Sequence, residues 1–188
     1  MLHSWLRFRR ELLLLLGASL LVLSLSSRAA PPLPTSIPEY TLKAVLLFKL
    51  TRFVYLPDFE EDQSWTLCVL GNNPFGQTLS QLARKESAST PFKVIELQDA
   101  SSSQSCNLVF IARSEERNLS AVLEKLEEQQ AILTVSDISG FAHKGGMIEL
   151  SLGNRSREGL DIIINRKAAE SRGIGFNAQL LRLAILEP

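Results

Sequence analysis

The sequence predicts an α/β fold: a single three-layer domain with a partly parallel, mixed sheet flanked by helices. Three observations carry that expectation. Short apolar runs bounded by Gly, Ser or Pro read as buried strands, and segments with apolar residues at three- and four-residue steps lie between them. Two further strand-like runs near the end face each other across a glycine-bounded turn, which adds an antiparallel edge.

Before the domain comes a leader. Arg7, Arg9 and Arg10 precede an apolar run from Leu12 to Leu25, and small residues follow up to Ala30, the layout of a secretory signal peptide. The run is about 14 residues, whereas a helix needs roughly 20 to span a bilayer. Ser27 and Ala29 suit the −3 and −1 positions, so cleavage is expected after about Ala29, with no nearby Cys for lipid attachment. The expected organisation is a leader over 1–29, a Pro-rich lead-in over 30–38 and one domain over 39–188.

Loss of the leader changes the charge balance. It removes four of the 20 basic residues (Arg7, Arg9, Arg10, Arg28) but only Glu11 of the 20 acidic ones, leaving 16 against 19 and a net charge of −3. Nucleic-acid binding needs a basic face to neutralise phosphates, and this composition argues against it. About 159 residues remain, the size of one ordinary domain.

From Glu39 the pattern is helical, with Leu42, Val45, Leu46, Phe53 and Val54 on one side, Lys43, Lys49 and Arg52 opposite, and Pro57 as the stop. Trp65 to Leu70 reads as a buried strand ending at Gly71, and Pro74 to Ala83 as a short helix. Phe92 to Leu97 and Leu108 to Ala112 read as strands separated by the Ser-rich stretch Ser101 to Ser105. Ser114 is expected to cap a helix whose first turn holds Glu115 and Glu116 and whose apolar side carries Leu119, Val122, Leu123 and Leu126. Ile132 to Val135 is the next strand, Met147 to Leu152 and Leu160 to Asn165 form the hairpin, and Lys167 to Arg172 and Ala178 to Leu186 are helical.

Motifs of chemistry are few. Gly71-Asn-Asn-Pro-Phe-Gly76-Gln77-Thr78 follows a strand and opens a helix, as a phosphate-binding loop does, but Gln77 stands where the lysine belongs and Pro74 removes a backbone N–H from the cradle. It reads as a tight turn. Beyond the leader His143 is the sole histidine, which rules out a histidine cluster for zinc. As a general base it would need a partner such as Asp137, and Ser136 sits in no nucleophile elbow. A solvated loop histidine is expected instead, with Gly145-Gly146 allowing a sharp turn. Glu124, Lys125, Glu127 and Glu128 form a wet helix face. Asn118-Leu-Ser120 and Asn154-Arg-Ser156 match the glycosylation acceptor, which matters only in a eukaryotic secretory route.

The chain's two cysteines, Cys68 and Cys106, are expected to form one disulfide, because export delivers an even pair to an oxidising compartment. No catalytic residue, metal ligand or cofactor site is expected.

Six ordered phrases carry a resemblance: Leu42 to Pro57, Cys68 to Gly76, Cys106 to Ser114, Leu133 to Phe141, Gly145 to Leu150 and Gln179 to Ala184. Together they resemble the YfiR family of bacterial periplasmic proteins across essentially the whole domain. That resemblance implies a negative regulator that holds the periplasmic sensor region of an inner-membrane diguanylate cyclase and so lowers cyclic di-GMP and biofilm formation. A homodimer is a further partner it admits. The family's cysteines match Cys68 and Cys106. Some relatives carry a second pair near the Gly-Gly turn; this chain has none, and Gly175-Phe-Asn-Ala-Gln179 departs from their serine-rich phrase. Redox control through a second pair is therefore not expected here.

Three readings of function follow. An interaction protein would need an exposed apolar patch with a polar rim. A small-ligand binding module would place its pocket at the carboxyl ends of the parallel strands, between the loops after Leu70 and Ile111. A hydrolase is poorly served by one histidine.

Overall fold

A computed structural model describes residues 38–60, 63–86, 92–129, 131–153 and 159–188. The leader, residues 30–37 of the lead-in, the centre of the hairpin turn and Asn154 lie outside the described residues.

Helix α1 (Glu39–Leu50) begins directly after Pro38. Strands β1 (Val54–Tyr55) and β2 (Trp65–Leu70), helix α2 (Thr78–Glu86) and strand β3 (Phe92–Leu97) follow. Next come β4 (Leu108–Ile111), α3 (Leu119–Glu127), β5 (Leu133–Ser136), β6 (Ile148–Leu152) and β7 (Leu160–Ile164). The chain closes with α4 (Arg166–Glu170), β8 (Gly175–Phe176), α5 (Ala178–Leu183) and β9 (Ile185–Leu186).

The main sheet has seven strands in the order β3-β2-β4-β5-β6-β7-β9. The first five are parallel, β6 and β7 pair antiparallel with Ile148 opposite Ile164, and β7 and β9 pair parallel. The expected mixed sheet is thus present. All six residues of β2 and all four of β4 are buried, as continuous apolar strands require when both sheet faces are covered. Leu67, Val69, Leu108 and Phe110 pack on one face against Ala44, Leu47 and Phe48 of α1 and Leu79 of α2. Cys68, Leu70, Val109 and Ile111 pack on the other against Leu119, Val122, Leu123 and Leu126 of α3. These are the three layers.

Several boundaries differ from the sequence reading. Helix α1 ends at Leu50 rather than running to Val54: Val54 and Tyr55 pair antiparallel with Phe176 and Gly175, and Asn177 N–H donates to Phe53 O at 2.9 Å. The face of α1 is also turned. Its buried residues are Lys43, Ala44, Leu47, Phe48 and Leu50, whereas Leu42, Val45 and Leu46 are half-exposed. Pro74 to Gln77 form a turn before α2 instead of its first residues. Ser114 caps no helix: Arg113–Asn118 is 3₁₀ and α3 starts at Leu119, while Ser114 Oγ accepts from Asn72 N–H at 2.9 Å. Ala178 to Leu186 is helical only to Leu183, because Ile185 and Leu186 are drawn into the sheet beside β7.

Cys68 of β2 and Cys106, just before β4, are joined by the expected disulfide, with Cα atoms 5.9 Å apart.

Candidate functional site

Helix α1 spans the sheet. Its first turn meets the carboxyl end of β5 and its last turn the amino end of β3, so two sites sit at its two ends.

At the carboxyl end, Lys43 is completely buried, and its ammonium donates to Asp137 Oδ2 at 2.6 Å and also to Glu39 Oε1. The Asp137 side chain is likewise fully buried. Tyr40 Oη donates to the same Oδ2 at 2.9 Å, and Arg113 Nε lies 3.2 Å from it. Arg113 Nη2 also lies 3.7 Å from Glu39, and the Lys43 ammonium sits 4.7 Å from the centre of the Tyr40 ring. Two hydrogen bonds and one ion-pair contact therefore converge on one carboxylate oxygen, and Arg113 Nε donates to the backbone Asp137 O at 3.3 Å, while Asp137 Oδ1 is buried without a partner among the described residues. Two cations balance two carboxylates, the condition under which charges survive burial. Asp137 reaches this position because β5 ends one residue earlier, at Ser136, whose hydroxyl donates to Ile111 O at 2.7 Å and accepts from Ile138 N–H at 3.0 Å.

Desolvation pushes the Tyr40 phenol up from 10.0 to about 12, and its hydrogen bond and charge repulsion with Asp137 act in the same direction. The native protein then holds this proton more tightly than the unfolded chain. The resulting stability is whole below pH about 10 and is lost as pH rises towards about 12. Phenolate absorbance of a Tyr55→Phe protein, in which Tyr40 is the sole tyrosine, is expected to show a midpoint near pH 12. A midpoint at or below 10 would show that the phenol is not tied to Asp137.

The crevice expected between the loops after Leu70 and Ile111 is closed. Gly71 has φ +89°, and a Cβ there would fall 2.3 Å from Ser114 Oγ and 2.7 Å from Glu115 Oε1. The two loops pack directly on each other at the point where strand order reverses, so this end of the sheet is filled by protein.

The cavity is at the opposite end. A groove of about 680 Å³ opens between α1, α2 and residues 51–59, walled by Val45, Phe48, Phe59, Trp65, Leu82 and Phe92. Trp65 and Phe92 are the first residues of β2 and β3, so the groove lies at the amino ends of the strands. Its rings pack in tilted pairs, Phe48 against Phe92 with centroids 4.1 Å apart and Phe59 against Trp65 at 4.8 Å. Lys49, Arg52 and Lys85 stand at its rim.

The other residues singled out from sequence take structural places. His143 is exposed and its Nδ1 lies 2.8 Å from Glu187 Oε1; it does not meet Asp137, which faces Lys43 instead. The Gly-Gly loop is anchored by buried Glu149, whose carboxylate accepts from Gly140 and Ala142 N–H at 3.1 and 3.2 Å. Among the described residues no set of three His, Cys, Asp or Glu could hold a metal ion, and no helix is long and apolar enough to cross a membrane. Sequence reasoning missed Lys43 as half of a buried ion pair. It also missed the groove, although Lys49 and Trp65 were both in view.

Residues 40–185 match the profile of a family described as YfiR/HmsC-like. No protein of curated function matches the chain significantly. Among solved structures, the chain resembles a conserved domain protein of Vibrio cholerae O1 biovar eltor, with TM-score 0.53 and 14% identity over 80% of this chain and 60% of that one. It also resembles the ABC domain of a Streptococcus pneumoniae protein in complex with L-Trp, with TM-score 0.50 and 12% identity over 78% of this chain and 59% of that one. The chain thus spans about three fifths of each of these structures, and at such identities the likeness is one of fold.

Proposed function

This chain belongs to the YfiR/HmsC-like family, and from that premise we propose that it is a periplasmic regulatory binding protein that restrains an inner-membrane diguanylate cyclase. It would do so through the cyclase's periplasmic sensor region, lowering cyclic di-GMP and biofilm formation. The observation that carries the proposal is the extent of the family match, which runs from the first turn of α1 to the start of β9. Apolar side chains available for docking support it: Leu183 is 74% exposed and Leu186, on the edge strand β9, is 46% exposed.

Restraint across a membrane requires binding one conformation of the cyclase better than the other, since equal affinity shifts nothing. Moving an active-to-inactive ratio from 1:1 to about 1:99 takes roughly a hundredfold preference, or about 2.7 kcal/mol. A reversible interface of standard size suffices.

Deleting the protein is expected to raise cellular cyclic di-GMP and surface attachment. Re-expression should lower both only with the leader intact, and crosslinking in the native cell should recover an inner-membrane cyclase. Unchanged cyclic di-GMP together with no recovered cyclase would overturn the regulator reading. The second reading, a small-ligand binding module, is favoured by the groove at the amino ends of β2 and β3.

A further inference from the structure

We propose that this groove binds a single-chain amphiphile with an anionic head, its apolar body against the aromatic wall and its head between Lys49 and Lys85. The inference rests on the second reading, that the groove is a ligand site, and is independent of any cyclase.

The wall is hydrocarbon and held in place. Phe48, Trp65 and Phe92 are at least nine-tenths buried yet line the groove, and each packs against a neighbouring ring. A volume of about 680 Å³ falls within the range of small-molecule sites. At about 30 Å³ per water it is room for roughly 20 waters, far more than a single-ring acid displaces. A body of about ten carbons or more is accommodated in such a volume.

The charge of the rim sets the sign of the head. Lys49, Arg52 and Lys85 line the groove, and none of its described lining residues is acidic. Asp58 and Glu60 flank Phe59 on the same segment, but neither lines the groove, which places the head on the lysine side. Among the described residues neither lysine has an ion-pair or hydrogen-bond partner. Both stand in the last turns of their helices, where a cation also offsets the helix dipole. That ordinary role does not exhaust them. Each helix end carries about half a negative charge, so the two ends offset about one of the two lysine charges and leave about one. Unpaired ammonium groups beside an apolar wall suit a carboxylate or phosphate head, to which their hydrogen bonds are charge-assisted.

Trp65 reports on the groove directly. In an exported Trp5→Phe chain it is the sole tryptophan, so a bromine-labelled ligand quenches its fluorescence only on reaching the wall. The probes are bromodecanoate, bromodecanol and a bromodecyl trimethylammonium salt, each below its micellar concentration. Bromodecanoate is expected to quench saturably at micromolar concentration, at least tenfold more tightly than the alcohol and more tightly still than the cation. Lys49→Gln/Lys85→Gln should weaken bromodecanoate at least tenfold and leave the alcohol unchanged, which also shows the groove intact. Equal binding of all three probes would overturn the anionic head while leaving a ligand groove. Absence of quenching by any probe would overturn both.

Discussion

Asp137→Asn is expected to destabilise the domain by about 3 kcal/mol, at the lower end of the range for breaking a buried ion pair. The substitution keeps the shape of the side chain and removes its charge. The Lys43 ammonium, with no exposure to water, is then opposed only by Glu39, whose side chain is 29% exposed. Glu39 is the reason for expecting the lower end. Lys43→Met should cost less, because Asp137 keeps Tyr40 at 2.9 Å and Arg113 at 3.2 Å. The double variant Lys43→Met/Asp137→Asn is expected to recover part of the loss and show a coupling of about 1.5 kcal/mol or more, since it removes the ammonium that Asp137→Asn alone leaves buried beside a neutral amide. Urea unfolding of all four proteins measures the cycle. Additive losses, or an Asp137→Asn protein within about 0.5 kcal/mol of the parent, would show that the pair is not coupled. The effect should reach the groove as well, because the pair fastens the first turn of the helix whose last turns carry Phe48 and Lys49.

Why this pair escaped the sequence reading is physical. Lysine is almost never fully buried unless paired, so Lys43 on an otherwise apolar helix reads as its wet side. Its partner stands 94 residues away, and no local pattern links them. Strands β2, β4 and β5 were legible for the opposite reason. Each is a short run dominated by apolar residues, interrupted in β2 and β5 only by Thr or Ser, and burial on both faces of a parallel sheet favours that pattern. The two-residue strands were not: Val54–Tyr55 and Ile185–Leu186 continue a helical spacing in sequence and become strands only because Phe176 and Ile163 wait beside them. Ser114 shows the same competition at one atom. Its hydroxyl has the right place for a cap but is taken by the Gly71–Asn72 turn. The groove was illegible because its walls come from α1, α2 and the first residues of two strands, and concavity leaves no mark on any of those segments alone.

The second large effect is expected from the disulfide. Replacing Cys68 and Cys106 together by alanine should cost about 4 kcal/mol on chain-entropy grounds, because the bridge closes a loop of 38 residues in the unfolded chain. Where the loop falls in the topology makes the loss matter. The chain runs from β2 outward to β3 and must then return past β2 to lay down β4 on its other side. Cys106 ends that return and ties it to the middle of β2, so without the bridge the unfolded chain must find the crossover unaided. Both residues are fully buried in the cluster that α3 covers, so alanine also leaves small voids. Wild-type protein reduced with dithiothreitol separates the two contributions: it loses the bridge and keeps the sulfur atoms. The reduced protein should account for most of the loss, and its urea m-value should rise with that of the double variant, because an unbridged unfolded chain exposes more surface. Since the chain has no other cysteine, no reshuffled pairing can mask the result. A loss under about 1 kcal/mol in both proteins, or two free thiols in the unreduced, denatured protein, would show that the return past β2 is held by packing alone.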